Sequence, residues 1–286
     1  MRNTGRQYSR DSSRSSSRLR RFIQLLCCCA ALMASAGAQR TTNFDDITTG
    51  WTLCPGPSCA GGSGTPTSTS QTFNNTTPSL DGSSMHLSET GPSFSNTGWF
   101  YNAGANNAAT GFTLDLQFNI PSNTDIQALE FDQFQYLKAP DGGVSANTRL
   151  FFGTECVKGS VWNVWDSSGI GWVNTGVSCS YVVSSTAFNH LTVAVHRLAG
   201  DTSCLSGYPC MYYTITLNGT VVVANAKTNS GALPSGFGEQ TGFMIQLDTS
   251  SACGTACTIN EYIDQGSFSA SNMASWWPAI QQTLQN

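Results

Sequence analysis

The sequence predicts an all-β protein, an antiparallel two-sheet β-sandwich stapled by disulfides. Three observations predict it. Apolar and polar residues alternate in many short segments, clusters of glycine, serine and asparagine separate those segments, and helical periodicity is nearly absent before the last dozen residues. Strands spaced in this way, without intervening helices, are typical of antiparallel sandwiches.

The strand signals follow one another along the chain. We predict a first strand at Phe44-Asp45-Asp46 and a flexible loop at residues 60–71, inside a sandwich domain of residues 39–270. The tail, residues 271–286, could form a short helix. The other predicted strands and hairpin arms are, in order, Gly111–Ile120, Gln127–Leu137, Val161–Trp165 with Ile170–Val173, Leu191–Val195, Met211–Leu217 with Thr220–Val223, Phe243–Leu247 and Glu261–Phe268.

The first 38 residues have the pattern of a secretory signal peptide. Arg20 and Arg21 precede an apolar run that is too short to cross a bilayer. The small residues Ala36-Gly37-Ala38 then supply a cleavage site. We therefore expect a secreted or otherwise extracytoplasmic protein, in the periplasm or outside the cell, with no membrane span.

Removal of the signal peptide would leave an acidic chain. The whole sequence has 13 Lys and Arg and 17 Asp and Glu, of which 7 Arg and 1 Asp lie in the first 38 residues. Nucleic acids and anionic lipid surfaces both favour basic partners, so the remaining excess of acidic residues argues against either. It suits a protein that binds neutral polymers or cations.

Eight cysteines follow the signal peptide, and an even number in an exported chain predicts disulfides. The spacing lacks the repeated C-x-x-C and histidine pattern of structural zinc sites. We predict that nearest neighbours pair, as Cys54–Cys59, Cys156–Cys179, Cys204–Cys210 and Cys253–Cys257.

The segment Gln127–Leu137 is the most informative strand, because it places two acids side by side. Leu129 and Phe131 face a core, so Glu130 and Asp132 project together from the opposite face. Carboxylates fixed in this way can do acid/base chemistry, bind a cation or accept sugar hydroxyls. They can equally be a solvated strand face.

The strand pattern and two local segments resemble the concanavalin A-like lectin/glucanase superfamily of jelly-roll proteins. One segment is Asn43-Phe44-Asp45-Asp46 followed by Gly50-Trp51, and the other is Glu261–Phe268 near the end of the domain. Some glycoside hydrolases of that superfamily, of the laminarinase and lichenase type, carry a Glu-x-Asp-x-x-Glu strand. This chain has the degenerate form Glu130-x-Asp132-x-x-Gln135.

The resemblance implies that Gln135 replaces the acid/base of those hydrolases. A bulge would be needed to return position 135 to the face of Glu130. An amide can neither donate a proton to the leaving oxygen nor act as a base, so hydrolysis by Glu130 and Asp132 would need another acid such as Asp115 or Asp248. The sequence therefore favours binding over catalysis.

Our interpretation is a non-catalytic, lectin-like protein that binds a polysaccharide or other glycan. Glu130, Asp132 and Gln135 would form its polar floor, and its candidate stacking rings are Trp99, Tyr136 and Trp165. The alternatives are a glycoside hydrolase or polysaccharide lyase of the same fold, and a surface or adhesion module that recognises protein.

A cofactor is not required by this interpretation. Asp45, Asp46 and Asp264 lie near the predicted first and last strands and could share a structural calcium ion, because oxygen ligands suit that ion. The sequence does not indicate an oligomeric state.

Overall fold

The structure is a computed structural model that describes residues 39–56, 61–141, 144–198, 201 and 203–272. These residues form mainly β-strands, with 3-10 turns at Phe44–Asp46 and Ser251–Cys253. The strands are β1 (Gln39–Thr42), β2 (Trp51–Pro55), β3 (Ser68–Asn75), β4 (Ser84–Gly91), β5 (Asn96–Gly104), β6 (Gly111–Asn119), β7 (Ile126–Leu137), β8 (Thr148–Phe152), β9 (Thr154–Val157), β10 (Val161–Asp166), β11 (Gly171–Ser178), β12 (Asn189–Leu198), β13 (Cys210–Leu217), β14 (Thr220–Asn229), β15 (Gly231–Ala232), β16 (Gln240–Thr249) and β17 (Cys257–Ser271).

Two antiparallel sheets make up the sandwich, which confirms the predicted fold class. The first sheet has the order β14-β13-β12-β6-β17-β4-β3, and β1 pairs with β17. The second has the order β11-β10-β9-β7-β16-β5-β2, and β8 joins β7 to β15. The strand β7, which carries Glu130 and Asp132, therefore lies in the middle of the second sheet.

The core lies between the sheets and is built from the apolar half of each alternating pattern. In β6, Leu114 and Leu116 are fully buried, and in β16 Ile245 and Leu247 are too. Large rings fill the same layer, including Trp162, whose side chain is 1% exposed. The period of two predicts both strands correctly, because apolar side chains of each face the core and polar or partly exposed ones point away from it, although in β16 the outer face is buried as well.

The two predicted hairpins are also present. β13 and β14 are joined through Asn218 and Gly219, whose φ angles are 50° and 77°. Two successive residues with positive φ form the turn whose twist matches paired strands. The hairpin of β10 and β11 pairs Trp165 with Trp172 across the strands.

The predicted first strand at Phe44-Asp45-Asp46 is wrong, because these residues form a 3-10 turn after β1. Asn43 precedes them with φ of 49°, which ends the extended chain. The turn serves β17 instead: the carboxylate of Asp45 accepts hydrogen bonds from the backbone N–H groups of Gln265 and Gly266, where β17 has a bulge.

The three acids predicted as calcium ligands accept hydrogen bonds from protein groups. Besides the two bonds to Asp45, one oxygen of Asp264 accepts hydrogen bonds from the Ser79 hydroxyl and the Leu80 N–H. Asp46 accepts from the Ser83 hydroxyl. Asp264 Oδ1 is buried and has no hydrogen-bond partner among the described residues, and the shared calcium ion stays a prediction.

The predicted loop at residues 60–71 is wrong from Ser68 onward, since β3 begins there and pairs with β4. Its composition suggested flexibility, but threonine suits an extended chain, and pairing such as Ser70 with Ser88 satisfies the backbone.

The predicted disulfides Cys156–Cys179, Cys204–Cys210 and Cys253–Cys257 are confirmed, with Cα–Cα distances of 5.3, 5.5 and 5.1 Å. The pair Cys54–Cys59 includes residue 59, which lies outside the described residues, as do the predicted signal peptide at 1–38 and residues 273–286 of the tail. Within the described part of the chain, no helix has the length and apolar character needed to cross a bilayer.

Candidate functional site

The strand β7 separates its polar residues onto two faces. The side chains of Gln133 and Gln135 point into the sandwich: Gln133 Nε2 donates to the Val193 carbonyl at 2.9 Å, and Gln135 Nε2 donates to the Asn106 carbonyl at 2.7 Å. Glu130 and Asp132, one residue out of step, therefore lie on the outer face of the second sheet.

The prediction that Gln135 lies beside Glu130 is wrong. The pairing of β7 with β16 runs without a register shift from Tyr136 to Ala128, so no bulge reverses the direction of residue 135. Its amide instead holds the backbone of the segment before β6, through bonds to the carbonyls of Asn106 and Ala109. Gln135 cannot be the replaced acid/base of a site at Glu130.

A row of polar side chains crosses the outer face through Glu130, and we call it the polar row. Neighbouring strands place its members in direct register, so it spans roughly 19 Å over five strands. The polar row consists of Gln246, Glu130, Glu155, Asn163 and Asn174.

Amide groups hold the acids of the polar row in place. Gln246 Nε2 donates to Glu130 Oε1 at 2.7 Å and to Asp248 Oδ1 at 3.0 Å, so one amide bridges two carboxyls. Asn163 Nδ2 donates to Glu155 Oε2 at 2.7 Å. These bonds fix the side chains of three acids before any ligand arrives.

Asp132 adjoins the polar row from the next outward position of β7. Its Oδ1 accepts a hydrogen bond from the Thr154 N–H at 2.9 Å. Its Oδ2 has no hydrogen-bond partner among the described residues, although the side chain is completely buried. A buried carboxyl oxygen without a donor is costly and is often explained by function.

Burial raises the pKa values of all four neighbouring acids. For Glu130 and Asp132 loss of solvent is the main cause of a pKa well above the usual range, and the negative charge of Asp248 raises both further. Burial raises the pKa of Asp248 to about 7, although hydrogen bonds from Glu130 and Gln246 oppose the change. The pKa of Glu155 is raised for the same reason. For Asp248, protonation therefore occurs close to neutral pH.

The acids are close enough to act together. One oxygen from each of Glu130, Glu155 and Asp248 lies within 4.8 Å of the others, a spacing that a hard cation or a shared proton can bridge. Asp115 is remote, because it lies on β6 in the first sheet, where His190 Nε2 is 3.1 Å from its Oδ2. Of the two acids considered from sequence, only Asp248 reaches Glu130.

Aromatic rings continue the outer face beyond Asp132, and we call them the aromatic patch. Phe100 stacks on Phe134 with 4.4 Å between ring centroids, and Trp165 meets Trp172 edge to face at 5.2 Å. The patch consists of Phe100, Phe134, Tyr136, Phe151, Trp165 and Trp172.

The predicted stacking rings divide between the two faces. Trp99 is 1% exposed in the core, where its strand position pairs with Ile245, so its prediction as a ligand ring is wrong. Tyr136 lies on the outer face but is buried beside Phe134. Trp165 is partly exposed on that face, and so is Trp172.

Exposure is not uniform along the polar row. Glu130 is 6% exposed and Glu155 is 7% exposed, whereas Asn163 is half-buried and Asn174 is exposed. The open end of the face is thus the hairpin of β10 and β11, which also carries Trp165 and Trp172.

Sequence reasoning missed Gln246, Glu155 and Asn163 as members of the site. A signal existed for Gln246: it interrupts the apolar run of β16 at an outward position, in step with Asp248. Glu155 and Asn163 had no such local signal, because only strand pairing brings them to Glu130.

No family model matches the sequence, and no curated protein matches it. Among solved structures, a carbohydrate esterase from the Shiga toxin-encoding bacteriophage phi24B is similar with a TM-score of 0.47 and 13% identity, over 82% of this chain and 100% of that one. The alginate lyase Aly36B gives a TM-score of 0.42 at 13% identity, over 82% and 98% of the two chains. Peanut lectin gives 0.39 at 12% identity, also over 82% and 98%. Likenesses this weak carry no argument about activity, so the function is argued from the site.

Proposed function

We propose that this protein binds carbohydrate without cleaving it, through the outer face of its second sheet. One observation carries the proposal: the polar row and the indole rings of Trp165 and Trp172 occur together on one face of a paired sheet. Amides and carboxyls exchange hydrogen bonds with sugar hydroxyls, and aromatic faces pack against the apolar faces of sugar rings.

The open hairpin is where a glycan would first make contact. Asn163 and Asn174 offer amides beside Trp172, and the row then leads inward to Glu155 and Glu130. Because strand pairing fixes these side chains, binding requires little ordering of the protein.

A panel of soluble polysaccharides tests the proposal, scored both for retention in affinity gels and for newly released reducing ends. We expect retention without release, and about fivefold weaker binding for Trp172→Ala, from a loss of about 1 kcal/mol of ring contact. Tyr262→Ala is the matched control, since Tyr262 stacks on His86 and belongs to the first sheet. Retention of no polymer in the panel would refute the proposal.

Hydrolysis is the second candidate, and the position of Asp248 favours it. Retaining glycosidases place two carboxyls about 5–5.5 Å apart, and oxygens of Glu130 and Asp248 lie within 4.8 Å of each other. If wild-type protein releases reducing ends, both Glu130→Gln and Asp248→Asn should abolish the release. If the wild type releases none from a polymer that it binds, this candidate is wrong.

We also infer that the protein functions outside the cytoplasm. Its confirmed disulfides close loops in both sheets, and such bonds persist in oxidising compartments. Fractionation of the source cells, followed by thiol labelling under denaturing conditions, tests this inference. Reactive thiols at Cys156 and Cys179 in freshly isolated protein would contradict it.

A further inference from the structure

Four buried acids on the outer face of the second sheet lack a positively charged partner among the described residues. They are Glu130, Asp132, Glu155 and Asp248. The ion pairs of the described residues all lie elsewhere, at His190–Asp115, Arg197–Asp141 and Lys227–Asp201.

Hydrogen-bond donors are also scarce around these acids. The N–H groups that donate to the four carboxyls belong to Gln246, Thr154 and Asn163. The carboxyls of Glu130 and Asp248 also hydrogen-bond to each other. Asp132 Oδ2 is completely buried and receives no N–H group from the described residues. The cluster is therefore short of both positive charge and N–H groups, and a ligand that supplies both would complement it.

We propose that the glycan bound at this face carries primary amino groups, and that an ammonium group binds at Glu155 and Glu130. The inference rests on the proposed carbohydrate-binding function and names its ligand class. An ammonium supplies one positive charge and three donors, and it enters from the open end of the polar row past Asn163. The ring of Trp165, beside that path, favours a cation over its face.

The same charge balance opposes the binding of polyuronates when the four acids are ionised. A carboxylate on the sugar would face four acids, and like charges at such distances oppose binding. The affinity of the protein for a glycan should therefore depend on the charge of the sugar substituent. An amine should bind more tightly than an N-acetyl group, and an N-acetyl group more tightly than a carboxylate.

Two oligomers that differ only at the nitrogen test the proposal, the hexamers of glucosamine and of N-acetylglucosamine. Calorimetry at about pH 7 and about 0.15 M salt, where exposed charges are screened beyond about 8 Å, should give about tenfold tighter binding of the glucosamine hexamer. The double variant Glu130→Gln, Glu155→Gln should lose this preference while it keeps the near-ultraviolet circular dichroism of the wild type.

The matched control is Asp115→Asn, which removes a partly exposed acid from the first sheet. It should keep the tenfold preference, because Asp115 lies on the first sheet and the proposed ammonium site lies at Glu130 and Glu155 on the second. A preference that survives in the double variant would overturn the proposal, and so would equal affinity for the two hexamers. If the protein binds neither hexamer but retains another polymer, the ligand class is wrong and carbohydrate binding stands. If it binds no glycan at all, both fail.

Discussion

Asp248→Asn should change how the stability of this protein depends on pH. The substitution keeps the shape of the side chain and an oxygen that can accept from Gln246 Nε2, but it removes one ionisable group from the buried cluster. Burial raises the pKa of Asp248 from 3.8 to about 7, so the folded protein holds a proton that the unfolded chain releases. Stability is therefore greatest below about pH 4 for this group and is lost as pH rises to about 7.

The expected size of the effect follows from that shift in pKa. A difference of about three units, at about 1.4 kcal/mol per unit, amounts to something on the order of 4 kcal/mol lost by Asp248 between the two pH values. The variant should not lose this part of the free energy of unfolding, because it has no carboxyl at position 248. The substitution also removes the negative charge that Asp248 places near Glu130 and Asp132, so the pKa of each of these acids should fall towards its usual range.

Urea unfolding at about pH 5 and about pH 8, followed by tryptophan fluorescence, measures the effect. The free energy of unfolding should fall for both proteins, because other buried acids also release protons, but by about 3 kcal/mol less for Asp248→Asn, from about two pH units at about 1.4 kcal/mol each. Equal m values for the two proteins would show that the same surface is exposed in both. The reasoning is refuted if both proteins lose the same free energy between the two pH values.

Two further substitutions test the packing. Glu261→Leu should stabilise the protein by about 1–3 kcal/mol in urea unfolding at neutral pH. Both carboxyl oxygens of Glu261 are buried without a partner among the described residues, and burial raises the pKa of Glu261 well above the usual range. A lower urea midpoint for the variant would contradict this expectation. Gly266→Ala should cost about 1–3 kcal/mol, since its Cβ would lie 2.3 Å from the Phe44 ring, whereas Gly238→Ala meets nothing within 4 Å and should leave the thermal midpoint unchanged. Equal thermal midpoints for the two alanine variants would show that the Phe44 ring moves aside at little cost.

The sheets could be predicted from the sequence because strand periodicity is a local property. The alternation in β6 and β7 needs no knowledge of the neighbouring strands, and the Asn218-Gly219 turn is determined by two residues. Prediction failed where a tertiary contact decided the conformation. At Phe44–Asp46 the short turn is held by Asp45, which binds backbone 221 residues later in the chain.

The candidate site divides in the same way. That Glu130 and Asp132 share a face follows from parity alone, and parity also places Gln135 inside, because no bulge intervenes. The partners of Glu130 could not be predicted locally. Gln246 is 116 residues away in sequence, and its contact depends on the register between β7 and β16.

The register between β7 and β16 also has a consequence for biosynthesis. A chain must be synthesised beyond Thr249, the last residue of β16, before Gln246 can bridge Glu130 and Asp248. Pairing over such a long stretch of chain is intrinsically slow, and the four acids have no bridging amide until it is complete. Ligand recognition should therefore appear late in refolding, after most of the secondary structure, and would distinguish finished molecules from compact precursors.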